Sequence, residues 1–194
     1  MSVQKTVTPS ATSLVESIKA AKPRGLPPVE QWSPPFCGDI DMEIKRDGTW
    51  FYEGTPIARP GMVKLFASIL IREEGQYFLV TPVEKVGIRV EDAPFVAVDF
   101  EATGTQEEQR LTFTTNLEDI AVAGADLPLR FERDAVTGEP SPYVRVRRNL
   151  EALIDRKSFY RLVDLGVHHD GWFGVWSGGA FFGIIPSEDL PEES

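Results

Sequence analysis

A chain of 194 residues and 21.6 kDa, 42% hydrophobic and 26% charged, has the make-up of a folded protein with one large domain or two small ones, not of a disordered segment. Its 20 Lys+Arg against 30 Asp+Glu give a formal net charge of -10, which sets aside nucleic acid and anionic membrane as partners unless positive charge is locally concentrated. Cys37 is the single cysteine, so an intramolecular disulfide and a cysteine metal cluster are excluded. No signal-like segment or apolar run of ~18 residues occurs, and a cytoplasmic location is expected.

Residues 1–22 read as a tail, loose over Met1 to Thr8. Leu14, Val15 and Ile18 at helical spacing predict a short amphipathic helix over Ser10 to Lys22 that packs on the body. Prolines 23, 27, 28, 34 and 35 then forbid regular structure, and Leu26, Val29, Trp32 and Phe36 supply apolar anchors for a strap. Residues 23–91 form this strap and a first α+β copy. Ile40 to Tyr52 carries two alternating runs joined by Asp47-Gly48, a hairpin signal. Pro60 opens a helix with Met62, Leu65, Phe66 and Ile69 on one face, ended by Glu73-Glu74-Gly75. Gln76 to Val80 and Val86 to Val90 read as strands around the loop Thr81-Pro82-Val83-Glu84-Lys85.

Residues 92–186 form a second α+β copy with extra strands at Phe95 to Phe100, Leu111 to Thr115 and Leu129 to Glu132, and residues 187–194 an acidic tail expected to fray. In this copy Tyr143 to Arg147 alternates, a run ends at Leu153-Ile154, and a helix follows. Ile57-Ala58-Arg59 matches Ile154-Asp155-Arg156 at an offset of 154 - 57 = 97 residues. Trp172 to Trp176 and Ala180 to Ile185 then stand where the last two strands of the first copy stood. The expected fold class is therefore α+β: a duplicated strand-strand-helix-strand-strand unit making two small antiparallel-sheet domains.

Strong catalytic motifs are absent from the sequence. His168-His169-Asp170 is the only histidine site and reads as a polar turn, since adjacent histidines on a strand point to opposite faces and a metal centre needs three or four converging ligands. Ser177 lacks a nucleophile elbow and fits a hairpin turn with Gly178-Gly179, and no phosphate-binding glycine loop occurs. No catalytic residue, metal or cofactor is expected. From Arg130 to Arg161, eight basic residues face five acidic ones, a local +3 against -13 elsewhere, which is either an anion-directed patch or a set of strand-edge charges with scattered partners.

Candidate ligand-binding residues are Arg59, Thr81, Glu84, Lys85, Arg89, Asn116, Tyr143, Arg145, Arg147 and Arg156. They combine guanidinium forks suited to phosphate or carboxylate, a hydroxyl, a charged loop and an aromatic face. They form a polar lining if the two copies face each other, with a small anionic, nucleotide-like ligand held between them.

Five stretches carry a resemblance: Gly38-Asp39-Ile40-Asp41-Met42, Asp47 to Tyr52, Leu79 to Lys85, Val90 to Phe95 and Pro142 to Arg147. Together they resemble the motifs of the bacterial family named domain of unknown function 1285, over roughly Pro27 to Ile185. The resemblance implies a two-domain duplicated α+β fold, a second half superficially similar to pleckstrin-homology domains, a ligand site between the halves and a signalling role. It supplies no catalytic residues. Two other readings stand beside non-enzymatic ligand binding. One is a hydrolase using Asp, Glu and Lys groups in a cleft, marked by perturbed titrating pairs; the other is an interaction module presenting Arg145 to Arg161 as a flat basic face.

Overall fold

The computed structural model describes residues 8–21 and 24–192. The chain divides into two compact units, Met1–Asp92 and Ala93–Ser194. Both are rich in sheet with few helices, an α+β architecture whose strand pairings are mostly antiparallel.

In the N-terminal unit, strands β1 (Phe36–Ile44), β2 (Trp50–Tyr52), β3 (Thr55–Pro56), β4 (Leu70–Glu73), β5 (Gln76–Val80) and β6 (Lys85–Val90) form one sheet in the order β3-β2-β1-β6-β5-β4. Only β1 and β6 pair in parallel. Alternation decides the faces: Ile40, Met42, Ile44, Leu79, Val86 and Ile88 point inward and are buried. Helix α1 (Ala11–Ala21) and helix α2 (Pro60–Ser68) pack together, α1 burying Leu14 and Ile18, and α2 setting Phe66 on the Trp50 ring with centroids 6.4 Å apart. Pro60 takes the first turn of α2, where a missing N–H costs nothing.

In the C-terminal unit, β7 (Phe95–Thr103), β8 (Arg110–Thr115), β9 (Ile120–Val122), β10 (Leu129–Arg133), β11 (Pro140–Arg147) and β12 (Leu150–Ile154) form a second sheet in the order β10-β11-β12-β7-β8-β9. Helix α3 (Arg156–Asp164) follows, capped by the Asp155 carboxylate, which accepts the Ser158 N–H at 2.8 Å. Strands β13 (Val167–His169), β14 (Trp172–Ser177) and β15 (Ala180–Pro186) make a third, antiparallel sheet. Ser177 ties it to the second: its buried hydroxyl donates to the Ala123 carbonyl at 2.7 Å and accepts the Leu111 N–H at 2.9 Å.

The order hairpin, helix, meander recurs in the two units, but each meander has three strands, not two. Glu74-Gly75 and Asp170-Gly171 both have positive φ at each residue, the two-residue turn that joins β4 to β5 and β13 to β14. Glu73-Glu74-Gly75 therefore turns a hairpin and does not end a helix, and His168-His169 lies in a strand. The sheets also close differently, because β6 returns to β1 whereas β15 pairs only with β14. Asp47-Gly48 does turn the first hairpin, with the Lys45 N–H donating to the Thr49 carbonyl and Gly48 alone at positive φ. On α2 the buried face is Val63, Phe66 and Ala67; Met62 and Leu65 are half-buried.

Of the expected strap anchors only Val29 is buried; Leu26 and Phe36 are exposed and Trp32 is half-buried. The expected acidic tail opens with a 3-10 turn over Ser187–Asp189, whose Ser187 N–H donates to the Gly171 carbonyl. The loose tail expected over Met1 to Thr8 lies outside the described residues except for Thr8, as do Lys22, Pro23, Glu193 and Ser194. No helix among the described residues is long and apolar enough to cross a membrane.

Candidate functional site

The outward face of the N-terminal sheet is not a uniform polar surface. Register sets Phe36 beside Lys85, Asp39 beside Gly87 and Glu43 beside Arg89 along the β1–β6 pair, and Phe78 beside Gly87 on the other side. Gly87 presents no side chain at the centre of this face, and the Asp39 carboxylate folds over the gap: a Cβ on Gly87 would overlap its terminal oxygen and lie 3.1 Å from its Cγ. Two register shifts in β1, on either side of Asp39, re-aim this part of the strand. The result is a groove of about 430 Å³ framed by Asp39, Gln76, Tyr77, Phe78, Gly87 and Arg89, within the size range of small-molecule sites.

The outward face beside the groove carries both kinds of contact that a flat ligand uses. Phe36 meets Phe78 edge-on with centroids 5.8 Å apart, and the Lys85 ammonium lies 4.4 Å from the Phe78 ring centre while bonded to Glu73. Arg89 donates to Asp41 at 2.7 Å and to Glu43 at 3.4 Å. The Asp41 hydrogen bond first, and Glu43 with it, holds its proton more tightly than usual. In the groove lining the Asp39 carboxylate stands against the Arg89 guanidinium, and beyond it Asp41 and Glu43 pair with Arg89, Glu43 also with Lys45.

Five of the ten expected ligand residues lie in each unit. Lys85 and Arg89 share the outward face just described, and Arg89 lines the groove. Thr81 and Glu84 do not form a solvent-facing lining: they are 0% and 2% exposed. The Thr81 hydroxyl accepts the Val83 and Glu84 N–H groups, which folds the loop back into the unit. Burial raises the Glu84 carboxyl above its ordinary value, opposed by a hydrogen bond with Ser13. Arg59 is the exposed cap residue of α2.

In the C-terminal unit, Asn116 is a structural residue whose side-chain oxygen accepts the Val96 N–H at 3.0 Å. Arg147 is not a surface residue: it is mostly buried, pairs with Asp119 at 2.6 Å and covers the Phe95 ring, and burial lowers its proton affinity despite the pair. Tyr143 is buried beneath the Arg130 guanidinium, Arg145 is half-buried with its Nε unpartnered, and Arg156 is exposed in the first turn of α3. At least half of the basic segment is paired: Arg130 with Glu132 and Glu151, Arg133 with Asp189, Arg147 with Asp119 and Arg161 with Asp99. These partners are scattered over strands and loops, and Arg156, Lys157 and Arg161 lie on helix α3. Among the described residues, no group of three or more His, Cys, Asp or Glu is arranged to hold a metal ion.

Sequence reasoning missed Asp39, Gln76, Phe78 and Gly87. A glycine flanked by Val86 and Ile88 in a strand is the signal that could have found them, since a missing side chain in a strand interior often marks close approach of another group.

Two family profiles match in tandem: "Domain of unknown function (DUF1285), N-terminal domain" over residues 27–93, and "Protein of unknown function (DUF1285), C-terminal domain" over residues 94–184. The chain belongs to the DUF1285 family. It is similar to the crystal structure of a DUF1285 family protein from Silicibacter pomeroyi DSS-3, at 64% identity and TM-score 0.85, covering 91% of this chain and 97% of that one. It is also similar to a DUF1285 family protein from Shewanella baltica OS155, at 33% identity and TM-score 0.51, covering 64% of this chain and 91% of that one. Comparison with curated proteins finds no match. The boundary between the two DUF1285 profiles falls one residue beyond the division of the chain into units.

Proposed function

We propose that this DUF1285 protein is a non-enzymatic small-ligand-binding protein of the cytoplasm, serving a signalling role, with its ligand on the outward face of the N-terminal sheet. The observation that carries the reading is the groove of about 430 Å³ over the side-chain gap at Gly87, with a carboxylate at one wall, a guanidinium at another and an aromatic pair beside them. The local charge refines the ligand class. A single guanidinium, already shared by Asp41 and Glu43, beside the Asp39 carboxylate disfavours a polyphosphate and favours a flat heterocycle of nucleobase or nucleoside type, its N–H groups donating to Asp39 and at most one negative group reaching Arg89. The exposed Arg89 pairs are worth little in water and exchange readily for a ligand contact. Glu84, the carboxyl raised by burial, does not line the groove, which favours binding over acid–base chemistry there.

A thermal-shift screen of nucleobases, nucleosides and nucleotides at millimolar concentration tests the reading. A ligand at 100 times its dissociation constant adds about 2.7 kcal/mol to stability. Nucleosides and monophosphates should outperform triphosphates, and Asp39→Asn and Arg89→Ala should each reduce the shift. A screen without a stabiliser, or one led by triphosphates and indifferent to Asp39→Asn, would count against it.

A further inference from the structure

Glu84 is a carboxyl in the wrong place for an ion. It is 2% exposed and, among the described residues, its Oε2 has no hydrogen-bond partner and its Oε1 accepts only the Ser13 hydroxyl of α1, 3.1 Å away. That hydroxyl is itself committed within the first turn of the helix: it lies 2.9 Å from the Ser10 carbonyl oxygen and accepts the Ser10 N–H at 2.9 Å. A hydroxyl has one proton. The Ser13 proton that Glu84 Oε1 accepts is thus shared with the Ser10 carbonyl, too little to offset burial of a carboxylate, and a neutral Glu84 removes the cost of a buried charge.

Among the described residues no cation compensates it. Lys85, next in the chain, turns its ammonium to Glu73 and the Phe78 ring. Glu16 and Lys19 of α1 and Lys64 of α2 are exposed, and the Tyr52 hydroxyl of β2 accepts the Ala11 N–H. Among the described residues, only burial and Ser13 act on the Glu84 carboxyl.

We propose that helix α1 is a proton-dependent latch on the N-terminal unit, docked while Glu84 carries its proton and released when that carboxyl ionises. Docking seats Leu14 and Ile18 in the core and joins Ser13 to the Thr81–Glu84 turn, which Thr81 holds rigid. Release returns the carboxylate to water and uncovers the apolar seat of the helix. The direction follows from linkage: a carboxyl raised in the docked state stabilises docking fully below the ordinary glutamate value near 4.5, and that contribution is lost as pH rises through the docked-state value.

Hydrogen exchange of the full chain tests this, comparing amides of α1 with those of β6 between pH 4 and pH 8 after correction for intrinsic rates. The opening constant of α1 should rise by up to about tenfold per pH unit within the window and then level off, while β6 changes by a clearly smaller factor. In Glu84→Gln, which keeps an oxygen to accept from Ser13 and cannot ionise, the α1 profile should be flat. A flat wild-type profile, or α1 and β6 opening by the same factor, overturns the latch whether or not Glu84→Gln folds. A Glu84→Gln protein that follows the wild-type profile overturns it as well.

Discussion

Gly87→Ala separates the groove from the stability of the sheet that carries it. The added methyl would overlap the Asp39 carboxylate, but that side chain is exposed, no hydrogen bond ties it to another described residue, and it can rotate into water. Glycine in a strand interior is itself worse than alanine by roughly 0.5–1 kcal/mol through backbone entropy, and Gly87 does not need a positive φ. The two effects oppose each other, so the stability of Gly87→Ala should stay within about 1 kcal/mol of wild type while Asp39 leaves the groove. Gly174→Ala is the contrast. Its methyl would meet backbone, with the Gly183 Cα and the Phe182 carbonyl carbon both at 2.8 Å, and β14 and β15 cannot part without breaking their ladder; a loss of about 1–3 kcal/mol is expected. Chemical denaturation of both variants, read as the shift in midpoint at constant slope, checks the pair. A loss above about 2 kcal/mol for Gly87→Ala, or none for Gly174→Ala, would refute the reasoning.

Arg147→Ala should lower stability by about 1–3 kcal/mol, since it uncovers Phe95 and leaves Asp119 without its cation; thermal unfolding without any ligand reads the loss. Ser177→Ala should cost about 1–3 kcal/mol, because the Leu111 N–H and the Ala123 carbonyl are both left unpaired where water does not reach, and a denaturant midpoint unchanged from wild type would contradict it. Asp155→Ala removes the cap of α3 and should cost about 1 kcal/mol, with faster hydrogen exchange confined to the first turn of the helix.

The α+β class, the hairpin at Asp47-Gly48, the position of α1 and the recurrence of hairpin, helix and meander were legible because each rests on periodicity or turn chemistry within a short window. The third meander strand was not. Leu70 to Glu73 continues the apolar run of α2 without a proline or glycine break, and Glu74-Gly75 is a weaker turn signal than Asn-Gly. In the second unit Val167–His169 is a short edge strand whose two histidines read as a turn. The site was least legible where it depends on distant pairing. Glu84 and Ser13 are 71 residues apart, so a charged loop residue gives no local sign that a helix will cover it. Arg147 likewise reads as an outward strand position, and the register shift between Arg145 and Arg147 is what sets it beside Phe95 and Asp119. The Asp39 gap is visible in sequence only as Gly87, whose meaning depends on parallel pairing with β1.

Amide chemical-shift mapping of the isotope-labelled protein, titrated with the best nucleoside or nucleotide from the thermal screen, tests the groove most directly. The account predicts saturable shifts concentrated at Asp39, Gln76 to Phe78 and Gly87 to Arg89, weakened in Arg89→Ala by about tenfold or more in dissociation constant, the scale of a lost charge-assisted hydrogen bond. Saturable shifts that leave these residues unmoved, or no shifts with any compound at millimolar concentration, would contradict it.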